Sequence, residues 1–355
     1  MIRQRTSPPI KEQVKARANR KTEIPRGRRE EGNWDKVVST GSTLLDLAIS
    51  GTRVRGGGLG GGIIVEIFGP EAVGKSVLIA EIIGSVQRMG GDTWLNDTEA
   101  RTNVVFFKLF GAELGPDNLA TMPSIEETFD FICRVWDPKG EGPIHGAFID
   151  SIADLLTKAE LNGEAADGGY TGARRAAMFS EKFRQAAAVI QSKNYLIVCS
   201  NQIREKLGVQ FGKKTQAAGA GKAVLHAFSV RLEMARGSRV YAEKTIRGKV
   251  IKEPIGVETT VTVEKSSVDK PFRSAPVIIT FDYGVDDVQA NLKWYKQTTG
   301  ENKYWNGEQS LARAIQRVEE QGTEMQLRED VIGLWEEIQD AFRPERKPKT
   351  RWDGE

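Results

Sequence analysis

Apolar positions repeat with two different periods along the middle of this chain. Ile63-Ile64-Val65-Glu66-Ile67-Phe68 is short, apolar and β-branched, the pattern of a buried strand, and Val77, Leu78, Ile82, Ile83 and Val86 then recur at helical spacing. The alternation continues with a short strand at Thr93-Trp94-Leu95-Asn96, helices over 104–110 and 125–135, and the strand Gly146-Ala147-Phe148-Ile149-Asp150. A long amphipathic helix over 176–191 and the strand Tyr195-Leu196-Ile197-Val198-Cys199-Ser200 follow. Strands and helices in this order predict an α/β fold, a mostly parallel sheet flanked by helices on both faces. Beyond residue 222 the period changes. Phe228-Ser229-Val230-Arg231-Leu232, Thr260-Val261-Thr262-Val263 and Val277-Ile278-Ile279-Thr280-Phe281 read as antiparallel edge strands. Residues 286–342 are helical and amphipathic, with Trp294, Trp305 and Trp335, and read as a small helical C-terminal domain.

The N-terminal third is punctuated differently. Ser42 caps a short helix through Ile49, and the glycine-rich stretch 51–62, with Arg53 and Arg55, reads as a flexible connector. Residues 1–33 hold Pro8, Pro9, Pro25 and many charges, so they read as mostly disordered, with a short helix near 11–19. The expected division is a basic arm over 1–36, a nucleotide-binding core over 37–285, and a C-terminal unit with a basic tail over 286–355.

Composition narrows the class. The chain has 355 residues, 39% hydrophobic and 28% charged, as expected of a soluble globular protein. No apolar run of spanning length and no secretory signal is evident, so the expected location is the cytoplasm, with no membrane partner. Cys133 and Cys199 lie in apolar runs, and with only His145 and His226 beside them they read as buried thiols rather than zinc ligands. Net charge is only +3, but it is uneven: residues 1–33 hold ten Lys/Arg against four Glu, and residues 343–351 hold five against one. Basic ends on a near-neutral body suggest arms that touch a polyanion.

The chemistry centres on Gly69-Pro70-Glu71-Ala72-Val73-Gly74-Lys75-Ser76, which fits the G-x-x-x-x-G-K-[ST] phosphate-binding loop between a strand and a helix opening on Val77. Glycines let backbone N–H groups converge on a phosphate, and the helix N-terminus adds positive potential. Lys75 would reach the β- and γ-phosphates of ATP, and Ser76 would ligate Mg²⁺. Other candidates stand at strand ends on the same edge, where open parallel sheets bind ligands. Asp150 would hold Mg²⁺, Glu99 would activate a water, and Gln202 would sense the γ-phosphate. The reaction these predict is in-line phosphoryl transfer to water.

Two loops follow these strands. Residues 162–175 are small, glycine-rich and polar, and run into Arg174-Arg175. Residues 203–222 mix Arg204, Lys206, Lys213, Lys214 and Lys222 with glycines and the apolar Leu207, Val209 and Phe211. Cations, flexible backbone and apolar tips suit single-stranded nucleic acid.

The sequence resembles the bacterial RecA recombinases and their phage relatives. The matching runs are Ser39-Thr40-Gly41-Ser42, Ile64-Val65-Glu66-Ile67-Phe68-Gly69-Pro70-Glu71, Asp150-Ser151, Lys158-Ala159-Glu160, Ser229-Val230-Arg231-Leu232 and Lys270-Pro271-Phe272. The most specific is Asn201-Gln202-Ile203-Arg204 with Gly208-Val209 and Phe211-Gly212, the family's second DNA loop. The resemblance covers roughly residues 37–285. It implies a P-loop RecA-like ATPase core, a helical filament of copies of the chain on single-stranded DNA, pairing with homologous duplex, and ATP held between neighbours. It implies that Glu99 is the catalytic glutamate and that Gln202 couples ATP to the DNA loop. It places Asn103, Phe106, Tyr283 and Gly284 near the adenine and ribose. It assigns DNA contacts to Arg175, Ser180, Arg184, Arg204, Gly221 and Lys222, with Arg174 interchangeable with Arg175 and Leu207 inserted between base triplets. Lys265 matches the first of two lysines that reach a neighbour's ATP.

The chain departs from the family pattern at several points. The second of those lysines is Ser267, with Lys270 nearby, and the interface phenylalanine is His226. The N-terminal segment differs from the bacterial packing helix, and the acidic tail is replaced by Arg346-Lys347-Pro348-Lys349. These differences point toward a phage or mobile-element version. Three functions fit: a DNA-dependent ATPase that exchanges strands, an ATP-switched DNA-binding filament with little exchange, and a helicase-type motor of the same fold.

Overall fold

The structure, a computed structural model, describes residues 32–164, 171–205, 215–217, 225–305, 310–343 and 345. The helix expected near 11–19, almost all of the N-terminal arm and the C-terminal tail from 346 onward lie outside the described residues.

The strand β3 (Ile63–Gly69) is buried along its whole length. It pairs in parallel with β7 (Tyr195–Glu205) on one side and β9 (Val230–Ile246) on the other. Beyond β7 lie β6 (His145–Asp150), β4 (Thr93–Asp97) and β5 (Leu119–Ala120), all parallel. Beyond β9 the sheet turns antiparallel through β10 (Lys249–Ser266), β11 (Ser274–Thr280) and β12 (Gly284–Val285). This is the expected fold, a mostly parallel sheet with antiparallel strands at one edge, except that the segment expected as an edge strand at Phe228–Leu232 runs into β9, inside the sheet and parallel to β3. A short strand β8 (Thr215–Ala217) pairs with the far end of β7, which runs past the expected strand end at Ser200.

Apolar clusters cover both faces of the sheet. On one, α2 (Lys75–Arg88) buries Leu78, Ile79, Ile82, Ile83 and Val86. On the other, α4 (Ile125–Asp130), its π-helical continuation Phe131–Val135, and α6 (Thr171–Lys193) bury Phe129, Phe131, Phe179 and Phe183 around Trp94. Between the faces Glu66 is fully buried in β3. Its carboxylate accepts from Asn201 Nδ2 of β7 at 2.8 Å and pairs with Arg231 of β9, whose guanidinium lies 4.5 Å from the Phe68 ring centroid. A buried carboxylate persists only when paired, so this triad ties the three central strands at one level.

The stretch 51–62 is not the flexible connector expected from its glycines. It is largely buried, and its end forms β2 (Leu59–Gly61), paired antiparallel with β1 (Asn33–Val38). The glycines serve close packing: a Cβ on Gly57 would lie 1.9 Å from the Asp46 carbonyl oxygen. At the C-terminus, α7 (Asp287–Thr299), α8 (Leu311–Glu320) and α9 (Glu324–Ala341) contribute Leu292, Val318, Leu327 and Val331 to the same apolar cluster as β3 and α2. Trp335 carries the Arg273 guanidinium 5.0 Å from its ring centroid.

The helix α1 (Thr43–Ser50) is capped by Ser42 and wholly buried, including Asp46. Asp46 accepts from Ser39 Oγ, Thr40 N and Thr40 Oγ1 at 2.5–2.8 Å. Burial outweighs these bonds and pushes its pKa up to about 7, and Asp287 nearby is raised for the same reason. Asp46 therefore keeps a proton in the folded state that the unfolded chain releases near pH 4. Stability falls as pH rises from about 4 to about 7. In Asp46→Asn, urea midpoints measured across this range should fall less than in the wild type, because the side chain stays neutral.

Candidate nucleotide and DNA site

The phosphate loop takes its shape from β3 behind it and β9–β11 beside it. Gly74 has φ of +94° and Ala72 of +57°, the left-handed conformations that turn the loop. A Cβ on Gly69 would lie 2.3 Å from the Met234 carbonyl oxygen, and one on Gly74 2.2 Å from Ile279 Cδ1. Thr259 Oγ1 donates to the Val73 carbonyl at 2.9 Å, and an Arg236 guanidinium N–H donates to the Glu71 carbonyl at 3.0 Å. These outer contacts, from strands far along the chain, had no local signal in the sequence.

Parallel pairing brings the strand ends to one level. Gly69 aligns with Gln202 and Asp97 with Asp150. Ser76 Oγ donates to Asp150 Oδ2 at 2.7 Å, and Ser200 Oγ donates to Asp150 Oδ1. The peptide bond between Asp150 and Ser151 is cis. The Thr98 N–H and hydroxyl both donate to the Asp150 carbonyl, tying the β4 end to the β6 end. Lys75 Nζ donates to the carbonyls of Gly69 and Pro70 at 3.1 and 2.6 Å, which places the ammonium within the loop. Burial lowers its pKa, opposed by the charges of Asp150, Glu71 and Glu99.

Glu99 faces this group from the β4 end. Its Oε1 stands 3.5 Å from Gln202 Nε2, and its Oε2 pairs with Arg101 at 2.9 Å. Burial raises its pKa first, and the negative charge and hydrogen bond of Asp154 raise it further, against the pull of Arg101. Asp154 also accepts from Ser151 Oγ. Asp154 and Arg101 escaped sequence reasoning because neither stands in a recognisable pattern. Ser76 and Asp150 supply two protein oxygens side by side. That donor set fits Mg²⁺, which binds through one or two protein oxygens and keeps phosphate and water as its other ligands.

The adenine and ribose candidates also converge. Asn103 caps α3 (Val104–Leu109), accepting from Val105 N and Phe106 N. Phe106 packs edge-on against Phe110 at 4.5 Å between centroids, and Phe110 abuts Gly284, where a Cβ would lie 2.6 Å from its ring. Glu81 of α2 accepts from Val285 N, so this corner is tied to the phosphate-loop helix, and Tyr283 beside it is exposed.

The DNA candidates divide. Part of the stretch expected as the first loop is helical, because α6 begins at Thr171, and this separates the two arginines. Arg174 is exposed, whereas Arg175 pairs with Glu160 of α5 (Lys158–Leu161) at 2.7 Å, both side chains being mostly buried. Burial raises the Glu160 pKa, but Arg175 and the Thr157 N–H outweigh it and leave the carboxyl below its usual range. Ser180 and Arg184 line a cleft of about 740 Å³ with His226, Phe228 and Ser267. The side chain of Arg204, and Lys206, Leu207, Lys213, Lys214, Gly221 and Lys222, lie outside the described residues. Lys265 Nζ donates to the carbonyls of Leu225, His226 and Phe228 of its own chain. Lys270 lines a different cleft, with Arg53 and Trp335.

A glycine loop between a central parallel strand and a helix, with acids at the neighbouring strand ends, defines a P-loop nucleotide-binding α/β core. The family model for the RecA N-terminal domain matches residues 13–286. The chain is also 35% identical over 272 residues to Protein RecA of Methylococcus capsulatus, covering 73% of each chain. The chain belongs to the RecA family.

Three substitutions test the geometry. Gly74→Ala combines a strained φ with a clash against Ile279, and should abolish binding of a fluorescent ATP analogue while near-native helicity remains. Arg175→Ala should lower stability by about 1–3 kcal/mol, because a mostly buried carboxylate loses its partner, whereas Arg174→Ala should leave the urea midpoint unchanged.

Proposed function

We propose that this chain is an ATP- and single-stranded-DNA-dependent homologous recombinase. It forms helical filaments on single-stranded DNA and promotes pairing and strand exchange with homologous duplex, and ATP hydrolysis drives release. The observation that carries this reading is the shared sheet edge. Lys75, Ser76, Asp150, Glu99 and Gln202 meet there, the first DNA loop lies in the connection between β6 and α6, and the second continues from β7. Family membership supports it independently. The cytoplasm is the corresponding location, that of the host if the chain is phage-encoded. No helix among the described residues is long and apolar enough to cross a membrane.

In this reading Lys75 and the loop N–H groups hold the β- and γ-phosphates. Ser76 and Asp150 would hold Mg²⁺, which when bound would neutralise phosphate charge. Glu99 orients a water and takes its proton as the new O–P bond forms and the bond to the bridging oxygen breaks. A raised pKa suits a base working near neutral pH. Gln202, in reach of Glu99 at the root of the second loop, links the nucleotide to that loop. Exposed Arg174 and Arg184 contact phosphates of the single strand, without sequence preference.

One observation favours the alternative, an ATP-switched DNA-binding filament with little exchange. The Lys265 ammonium is held by three carbonyls of its own chain, and the expected second lysine is Ser267.

Glu99→Gln should lower ATP turnover by about 10²–10⁴-fold and leave filaments on single-stranded DNA visible by electron microscopy with ATP. Intact hydrolysis in this variant would remove Glu99 from its role, and closed rings would remove the filament. Turnover needs ionised Glu99, so it should decline as pH falls through a value above the ordinary carboxylate range. Asp154→Asn should move that decline to lower pH, as a pH–rate profile reads directly.

A further inference from the structure

Two carboxyl groups share a hydrogen bond beside the phosphate loop, those of Glu99 and Asp154. Ser151 Oγ donates to Asp154 and fixes it there. Two carboxyls this close keep a proton between them unless a cation offsets their charge.

Arg101 is that cation. One of its guanidinium N–H groups pairs with Glu99 Oε2 at 2.9 Å, while Glu99 Oε1 stands 3.5 Å from Gln202 Nε2. The backbone is shaped for this contact between residues two apart. Ala100 lies between them with φ of +53°, a left-handed conformation uncommon for a residue with a Cβ. Asp97 closes the turn: its carbonyl accepts from Ala100 N, and its Oδ2 accepts from Thr102 N at 2.6 Å. A residue held in such a conformation between two charged neighbours points to a functional turn rather than a plain connection.

The pair does little for folding. The Arg101 side chain is 82% exposed and that of Glu99 28%, and an ion pair so open to water adds little stability. Two other cations at the phosphate loop are engaged. Lys75 donates to the carbonyls of Gly69 and Pro70, and Arg236 donates to that of Glu71.

We infer that Arg101 is a positioning residue for ATP hydrolysis, which fixes one oxygen of Glu99 against the pull of Asp154 and leaves the other toward Gln202. The inference rests on the reading of Glu99 as the base. Only an ionised Glu99 can take the proton of the attacking water, and Arg101 supplies the charge that keeps it so from the same chain.

Arg101→Ala tests this in the full chain, through steady-state ATP turnover on single-stranded DNA. Its kcat should fall about 10- to 100-fold, the scale of loss when a reacting group is misplaced. The KM for ATP and the urea midpoint should not change. The charged groups facing Glu99 are Asp154, Arg101 and Asp150, with Lys75 across the loop. Losing the nearest cation should move the decline of kcat with falling pH to higher pH, opposite to the effect of Asp154→Asn. Adding Asp154→Asn to Arg101→Ala, or supplying millimolar guanidinium ion to the single variant, should restore turnover severalfold. A wild-type kcat in Arg101→Ala overturns the inference. So does a loss carried by KM, or one that neither Asp154→Asn nor guanidinium relieves. Glu99→Gln, assayed beside it, separates the two readings. If that variant hydrolyses ATP, the base is misassigned and the role of Arg101 falls with it. If it is inactive while Arg101→Ala is unimpaired, only the role of Arg101 falls.

Discussion

The Asp150 carboxylate is the point on which the site depends. One oxygen receives Ser76 from the phosphate-loop helix and the other receives Ser200 from β7, while its backbone carbonyl receives Thr98 from β4. A single residue thus sets the spacing of four elements at the carboxyl edge. It can do so because the parallel ladder ends there: the residue before it, Ile149, is fully buried, and Asp150 stands partly exposed at the carboxyl end of its strand. One layer below, the buried Glu66, Asn201 and Arg231 triad holds β3 level with β7 and β9. Without that level, Gly69 and Gln202 would not stand side by side.

The phosphate loop is also held from outside. Met234 and Ile279 press against Gly69 and Gly74, and Thr259 and Arg236 bond the carbonyls of Val73 and Glu71. The antiparallel edge is therefore more than a border to the parallel core. It forms one wall of the nucleotide loop before continuing into the long β9–β10 hairpin.

Electrostatics sorts residues that look alike in the sequence. Arg174 and Arg175 are adjacent and chemically identical, yet a helix turn points one to solvent and the other to Glu160. Glu99 stands in the turn after β4, where burial and the charge of Asp154 raise its pKa. Lys265 lies in a matching motif, and its ammonium is held by carbonyls of its own chain. Charge type is visible in a sequence, whereas the partner that spends or frees the charge is not.

The parallel core, the phosphate loop and the acids near the strand ends are legible in the amino-acid sequence. Those features are local: buried β-branched runs, helical periods, and a glycine pattern whose backbone geometry is its function. The same local logic failed at residues 51–62, where glycines that suggest flexibility are required by close backbone approach. It also failed beyond Met234, where an unburied ribbon needs no alternation of apolar and polar residues and so shows none. Asp154, Arg101, Arg236 and Thr259 act on groups far from them in the chain or outside any motif. Only the tertiary structure places them, because a hydrogen bond or a pKa depends on distance in space, and the strand order that sets those distances is written in the packing of the whole sheet.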